Sequence, residues 1–391
     1  MESIKLSGRG RTPKLHFGRM RSRLICVVVV MLTAVGAGYG QWQMQQSNSS
    51  ANLRGIHSVN GTVAWASGTE GTVVRTEDGG EHWTTCAVPA GAEKLDLRGV
   101  WAWDASTAIV MSSGAGDQSR LYKTVDGCRH WTQDLRNNEK DGFWDAVVFQ
   151  AGDFGTAGKA GVLLGDPLHS VFDTRLMLTG HGWADDNAPC VAREGEAAFA
   201  GSNSSVFVFG PRRYIMVTGG KPGGRALLSP LLAGNDSAKG CLEVPLPLAS
   251  GADSTGAFSV SFRDRDHGVV VGGDYKKPNE PSGTAAWTSD GGLHWTAASN
   301  PPHGYRSAVA WDTEARVWIA AGTNGSDISR DEGRTWESLD NGKWNALSLP
   351  YVVGPDGRIG KLNRGAERQT TPEPFAGHDR LSSWWLVTLR S

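Results

Sequence analysis

The chain has 391 residues and a formal net charge of −1, so no global field draws it to nucleic acid or to an acidic membrane surface. Its 52 Gly and 16 Trp are both high for a globular protein, a pairing that suits many short strands, tight turns and one aromatic packing signal per repeat. Size alone would allow two domains, but an internal repeat overrides that count, and a single large core is expected.

The N-terminus reads as a processing segment. Arg19, Arg21 and Arg23 precede an apolar run over 24–35, and Gly36, Ala37 and Gly38 supply small residues for cleavage near Ala37 or Gly40. Residues 1–40 are therefore expected to be a signal peptide and the mature chain an exported one. The run is short for a transmembrane helix, and an uncleaved anchor is the alternative. Met20 offers a second start. Removing the leader leaves Cys86, Cys128, Cys190 and Cys241. Four Cys in an exported chain allow two disulfides in three connectivities, with buried free thiols as the other reading. No CxxC occurs, so no zinc site is expected.

The organising repeat begins at residues 76–83, Thr-Glu-Asp-Gly-Gly-Glu-His-Trp, and returns at 124–131, at 288–295 and, altered, at 329–336. Its Asp carboxylate accepts N–H groups of the turn, Gly supplies positive φ, and Trp opens the next strand with a large apolar face. Around the first copy, 53–59 reads as a strand and Asn60-Gly61 as a two-residue hairpin turn. Residues 62–67, 72–75 and 83–88 follow as three more strands, and four antiparallel strands make one propeller blade. Aligning later units on Leu53-Arg54-Gly55 and Leu97-Arg98-Gly99 gives Arg54, Arg98, Trp144, Ala197, Ala257, Arg306 and Asn345, so seven units fit. Units three and four lack the Asp hairpin, with Trp183 a remnant in unit three.

Unit seven supplies only three strands, and the missing fourth is found at 41–46. Trp42 precedes Arg54 by 12 residues, much as Trp295 precedes Arg306 by 11. The expected fold is all-β: a seven-bladed β-propeller of four-stranded antiparallel blades over 41–364. Its ring is closed by the N-terminal strand, which removes two open sheet edges. Residues 365–391 carry no repeat, and 365–379 read as a disordered polar tail.

Strand direction places the Asp hairpins on one face of the disc and the starts of the inner strands on the other. That second face carries the longer insertions, at 112–119, 166–169 and 274–283, and is where a site is sought. Arg54, Arg98 and Arg306, at matching positions, would ring the channel mouth and hold an anion. The competing reading pairs each Arg with a carboxylate among Asp145, Asp166, Glu196 and Asp274. Trp144 offers an aromatic wall of the kind on which sugars stack, and Tyr275 and Tyr305 lie near the mouth. The binding set is thus Arg54, Arg98, Arg306, Trp144, Asp166, Glu196, Asp274 and Tyr275. Lys276 and Lys277 read as solvated loop tips. His57, His82, His130 and His294 recur with the blades and read as structural. No G-x-S-x-G, H-E-x-x-H or P-loop pattern occurs, so no catalytic set, metal or cofactor is expected.

The Asp hairpins resemble the Asp-box (BNR) repeats of sialidases and many other propellers. Further motifs are Gly142-Phe143-Trp144-Asp145-Ala146, Leu164-Gly165-Asp166-Pro167, Gly195-Glu196-Ala197-Ala198-Phe199-Ala200, Val271-Gly272-Gly273-Asp274-Tyr275, Tyr305-Arg306-Ser307-Ala308-Val309 and Val353-Gly354-Pro355-Asp356-Gly357. Together they make residues 41–363 similar to the photosystem II stability/assembly factor family, and within it to bacterial exported members. The resemblance implies a seven-bladed propeller with an Arg patch, acting without catalysis as a monomeric platform for a protein partner embedded in a membrane. Cys128 in place of the usual Gly, the degenerate hairpin of unit three and the unmatched tail depart from the pattern.

Fold analogy does not give function, and two rivals stand. A sialidase-type glycosidase needs an Arg triad, a Tyr nucleophile with a Glu base, and an Asp acid. Here Leu53-Arg54-Gly55-Ile56 stands where such enzymes carry Arg-Ile-Pro. Carbohydrate binding without catalysis is the second rival. Convergence of the three Arg beside a Tyr–Glu pair would favour the enzyme. Arg spread around the rim and paired with carboxylates would disfavour it.

Overall fold

The computed structural model describes residues 41–150, 160–178, 182–230 and 240–364. The leader read at 1–40 and the tail read at 365–391 lie outside the described residues. Among the described residues the sole helical element is a 3-10 turn at Gly116–Gln118. Everything else regular is antiparallel sheet.

Seven blades of four strands form a ring. Blade 1 consists of Leu53–Ser58, Ala64–Gly68, Val73–Thr76 and Thr84–Thr85, from the channel outward. The inner strands of the other blades are Leu97–Ala102, Trp144–Phe149, Val206–Gly210, Thr255–Phe262, Ala308–Asp312 and Ala346–Ser348. Gln41–Gln45 pairs antiparallel with Ile359–Asn363 as the outer strand of blade 7, so the N-terminal strand closes the ring. The Trp42 indole donates to Ser326 Oγ of blade 6 at 2.9 Å, tying the closing strand to its neighbour.

The expectation of one large core needs correction. Buried apolar side chains form seven clusters, one at each interface between adjacent blades. The reason is the strand period of two: successive side chains face opposite sides of a sheet, and here both sides meet another blade. Each blade is therefore apolar on both faces, and the channel is left to the inner edge.

The Asp hairpins are self-locking turns, as their composition implied. In the first, Asp78 Oδ1 accepts the His82 N–H at 3.0 Å and the Thr76 hydroxyl at 2.8 Å, while Thr76 Oγ accepts the Gly80 N–H at 2.9 Å. His82, His130 and His294 hold their own hairpin Asp through Nδ1, so they serve the turn. Cys128 keeps the turn despite replacing Gly, at φ 63°, and is disulfide-bonded to Cys86 of blade 1. The second disulfide is Cys190–Cys241. One of the three connectivities is thus realised, and the thiols are not free. Two local readings shift. The first hairpin is a three-residue loop, because Asn60 Oδ1 accepts both Thr62 and Val63 N–H and Val59 N–H reaches Val63 O. The fourth strand of blade 1 shortens to Thr84–Thr85.

Blade 4 holds the one large departure from the repeat. Its chain starts as an inner strand at Glu196–Ala197, paired with Gly219–Gly220, and resumes at Val206 only after an excursion over 198–205. That excursion crosses the channel. Asn203 Oδ1 accepts Val147 N–H at 2.7 Å, and its amide donates to Val147 O and Val100 O. Ser202 Oγ donates to Ser307 O of blade 6 at 2.6 Å, and Ser204 Oγ to Ser259 Oγ of blade 5 at 2.8 Å. The plug so formed divides the channel into two cavities with different chemistry.

Candidate functional site

The inner strands of blades 1, 2, 3 and 5 each carry a β-bulge near their start. Register skips from Leu53 to Gly55, Leu97 to Gly99, Trp144 to Ala146 and Ala257 to Ser259. The skipped residues are Arg54, Arg98, Asp145 and Phe258. A bulge re-aims one side chain out of the alternation, and here it sends that chain to the channel mouth. The flanking residues face adjacent blades and are buried. Ala197, Ser307 and Asn345 hold the same place in blades 4, 6 and 7. All seven line one cavity of about 540 Å³, with Phe143, Asp166, Phe199, Tyr275 and Tyr305 among the residues completing its wall.

This frame sorts the expected site residues. Arg54, Arg98, Asp166 and Tyr275 come together at the mouth. Trp144, Glu196 and Arg306 do not, because each sits one residue before the mouth-lining position of its strand (Asp145, Ala197 and Ser307), at the blade-facing position. A slip of one residue in a strand exchanges its two faces. Trp144 is fully buried with its indole on Asp173 Oδ2 at 3.1 Å, so it offers no stacking surface. The buried Glu196 carboxylate binds the Arg225 guanidinium, with Arg225 Nε to Oε1 at 2.9 Å, and the Thr218 hydroxyl at 2.5 Å. Arg306 is fully buried and ion-paired with Asp327, with further contacts to Tyr305 O, Asn324 Oδ1 and the His303 ring. Asp274 accepts the Lys276 N–H at 3.0 Å and pins its own turn. The ring of three Arg is therefore a pair.

The two remaining Arg differ. Arg98 Nε donates to Asp96 Oδ2 at 2.7 Å. Arg54 makes no hydrogen bond or ion pair among the described residues, and its Nε is buried without a partner. Burial, and then the neighbouring Arg98, lower its pKa. A guanidinium that gives up hydration without a carboxylate in return costs free energy, which an incoming acceptor would offset.

Two carboxyls sit opposite. Asp145 is 1% exposed and its Oδ2 has no partner. Burial first and the Asp166 charge second push its pKa well above the usual carboxylate range, with Arg98 opposing. Asp166 Oδ1 accepts the Ala198 N–H at 3.1 Å, and burial raises it to about 6. Aromatic walls complete the mouth. Phe199 and Phe258 stack at 3.9 Å, Tyr305 meets Phe258 edge-on at 4.8 Å, and Tyr275, 45% exposed, approaches Phe258 at 6.1 Å. Burial raises the Tyr305 phenol above its ordinary range, so it stays protonated.

The alignment on Arg missed Asp145 as a mouth residue and missed Phe143, Phe199 and Phe258 altogether. A usable signal was present. Each mouth residue precedes a small one: Gly55, Gly99, Ala146, Ala198, Ser259, Ala308 and Ala346. At Gly99 the reason is visible, since an added Cβ would stand 2.7 Å from the Asn203 side chain of the plug.

Beyond the plug lies a cavity of about 230 Å³ lined by inner-strand residues including His57, Trp101, Phe149 and Ser348. Among the described residues no Asp, Glu, Lys or Arg lines it. His57 Nδ1 accepts the Ala102 N–H, and burial lowers its pKa to about 4, so the ring is neutral.

The retaining-sialidase set is not assembled at the mouth among the described residues. The third Arg is buried elsewhere and Glu196 is committed to Arg225.

No protein-family model matches the chain, and no curated protein sequence matches it. Solved structures do. YCF48 bound to D1 peptide aligns with a TM-score of 0.54 at 14% identity, covering 84% of this chain and 98% of that one. YCF48 from Cyanidioschyzon merolae aligns at 0.51 and 16% identity, covering 82% and 98%. The WD40 β-propeller domain of Doa1 aligns at 0.54 and 11% identity, covering 84% and 97%. Likeness at such low identity establishes the architecture the strands already display: a seven-bladed β-propeller.

Proposed function

We propose that this chain is a non-enzymatic protein-binding propeller whose mouth seats a short partner segment carrying a carboxylate. The observation that carries this reading is Arg54, a half-buried cation with no partner of its own, set among aromatic walls. A guanidinium fork offers directed donors to a carboxylate, while Phe199 and the exposed Tyr275 offer apolar area to its neighbours. YCF48, of the same fold, is known bound to a D1 peptide, which supports a peptide as the occupant. We place the chain, on its motifs, with the exported photosystem II assembly factor-like propellers built on Asp-box repeats. Residues 1–40 are then a signal peptide and residues 365–391 a tail. Two disulfides suit an oxidising compartment. The partner is then a membrane-embedded protein presenting a loop or end, and the propeller acts as a monomer. Trp144, the residue named for carbohydrate stacking, is buried.

The test is a calorimetric titration with acetyl-Phe-Glu-Phe-amide and its Gln counterpart. The wild type is expected to bind the acidic peptide at least about tenfold tighter, the scale of a charge-assisted contact. Arg54→Gln should erase that preference. Equal binding of both peptides, or a preference that survives Arg54→Gln, would overturn the reading.

A further inference from the structure

We propose that Asp145 and Asp166 form a proton gate on the Arg mouth: protonated, the pair leaves the site cationic and open to an acidic segment, and ionised it closes the site to one. The inference rests on the binding reading above and names its regulation.

The charged and titratable groups facing this cavity are few, and each blade can be taken in turn. Blade 1 presents Arg54, and blade 2 presents Arg98 with its partner Asp96. Blade 3 presents Asp145 and Asp166. The start of blade 4 presents only residues 197–201, without charge. Blade 5 presents Tyr275, with Lys276 over its ring at 5.9 Å, and blade 6 presents Tyr305, whose phenol stays protonated. Blade 7 presents Asn345. Among the groups lining the cavity and their ion-pair partners, two guanidinium groups against the Asp96 carboxylate leave one net positive charge, Lys276 lying outside the lining. Ionising Asp166 cancels it.

Geometry makes this pair, rather than Asp96, the variable element. Asp96 holds an ion pair with Arg98 at 2.7 Å. Asp145 and Asp166 have no ion-pair partner among the described residues. Asp145 keeps one buried oxygen unsatisfied, and Asp166 is held by a single backbone N–H. Two carboxyls on one wall of a cavity resist carrying two charges. The pair is also joined to the plug, because Ala198 donates to Asp166 and Asp145 interacts with the Ala200 N–H. Asp166, raised to about 6, changes charge within the working pH range, and a bound carboxylate would raise it further. Binding the acidic segment therefore takes up a proton, and affinity must fall as pH rises.

The experiment titrates acetyl-Phe-Glu-Phe-amide into wild type, Asp166→Asn and Asp145→Asn from pH 5.5 to 8, where the peptide carboxylate stays ionised. The wild type is expected to lose about tenfold in affinity for each pKa unit by which binding raises Asp166. Asp166→Asn should be flat and at least as tight as the wild type at pH 5.5. Wild-type binding that is independent of pH, or a slope that persists in Asp166→Asn, overturns the gate and leaves the binding reading standing. Absence of binding at every pH, in wild type and variants alike, overturns both. A ligand-free arm follows the melting temperatures of wild type and both Asn variants from pH 4.5 to 7.5. An advantage of the variants that widens with pH supports the gate, and a constant difference overturns it. If one variant fails to fold, the other carries both arms.

Discussion

Arg54 and Arg306 are the same residue type, one position out of register, and the fold uses them in opposite ways. Arg306 is fully buried with Asp327, whose carboxylate is itself 1% exposed. Arg306→Gln leaves that carboxylate without its cation, and breaking a buried pair costs about 3–5 kcal/mol. Arg54 has nothing comparable to lose, so Arg54→Gln should leave stability within about 0.5 kcal/mol of the wild type. Urea unfolding of the two variants checks the contrast. A large loss on Arg54→Gln would mean that the residue is structural after all. Asp145 and Asp166 supply a second prediction, in pH. Both are raised above their unfolded values, so the neutral form is the one folding favours. For Asp166 the associated stability is complete below an unfolded value of about 4 and is lost as pH rises through about 6. Thermal melts should therefore show the wild type weakening against Asp166→Asn across that window, and not below it.

At the scale of the element, the hairpin at 124–131 separates two roles that Cys128 combines. The Asp126 carboxylate accepts N–H groups from Arg129 and His130, and Thr124 Oγ accepts the Cys128 N–H, as in the copies that have Gly there. Cys128→Gly should keep this turn, since Gly adopts positive φ without steric cost, and lose only the staple between blades 1 and 2. The disulfide spans 42 residues, and chain-entropy arguments give such a link about 3–4 kcal/mol. The variant is expected to be less stable than the oxidised wild type by that amount, and to melt lower. Adding reductant, with the second disulfide removed in both proteins, should bring the two together. A reduced wild type that stays well above the variant would show that the Cys side chain itself supports the turn. The hairpins were legible in the sequence because their chemistry is local: Asp, Gly and Trp at fixed spacing specify the turn without outside help. The mouth was only partly legible, because a bulge is defined by two strands and one strand's sequence does not announce it. Arg54 and Arg98 were found by their repetition. Asp145 and Phe258 were missed because the alignment took Trp144 and Ala257, one residue early. The plug over 198–205 was illegible for a further reason: its hydrogen bonds reach groups of blades 2, 3, 5 and 6 far away in sequence, among them Val147, Ser259, Ser307 and the Asp166 carboxylate, and nothing local encodes them.

At the scale of the whole molecule, the ring closes through contacts that join the two ends of the propeller. Gln41–Gln45 completes blade 7, Trp42 packs against Trp344 at 6.0 Å, and its indole reaches Ser326 of blade 6. From the other side of the same blade, Lys361 Nζ donates to Gly79 O and the Tyr351 hydroxyl to Gly61 O of blade 1. The mouth depends on this closure at a distance, because Arg54 opens the first inner strand and Asn345 the last. Asn345 donates to Leu53 O at 2.8 Å, directly beside Arg54. Trp42→Ala should cost about 3–5 kcal/mol, as large-to-small changes at a packed aromatic do. Deleting 41–46 from a chain begun at residue 41 should cost more, since it also exposes the edge of Ile359–Asn363. A synthetic peptide covering 41–50 supplied in trans should then restore both the melting temperature and binding of acetyl-Phe-Glu-Phe-amide. If the truncated protein binds that peptide as the intact chain does, the mouth is set by the plug and the bulges alone, and closure is needed only for stability. If the added strand restores melting but not binding, the register of the closing strand, rather than its presence, positions Arg54.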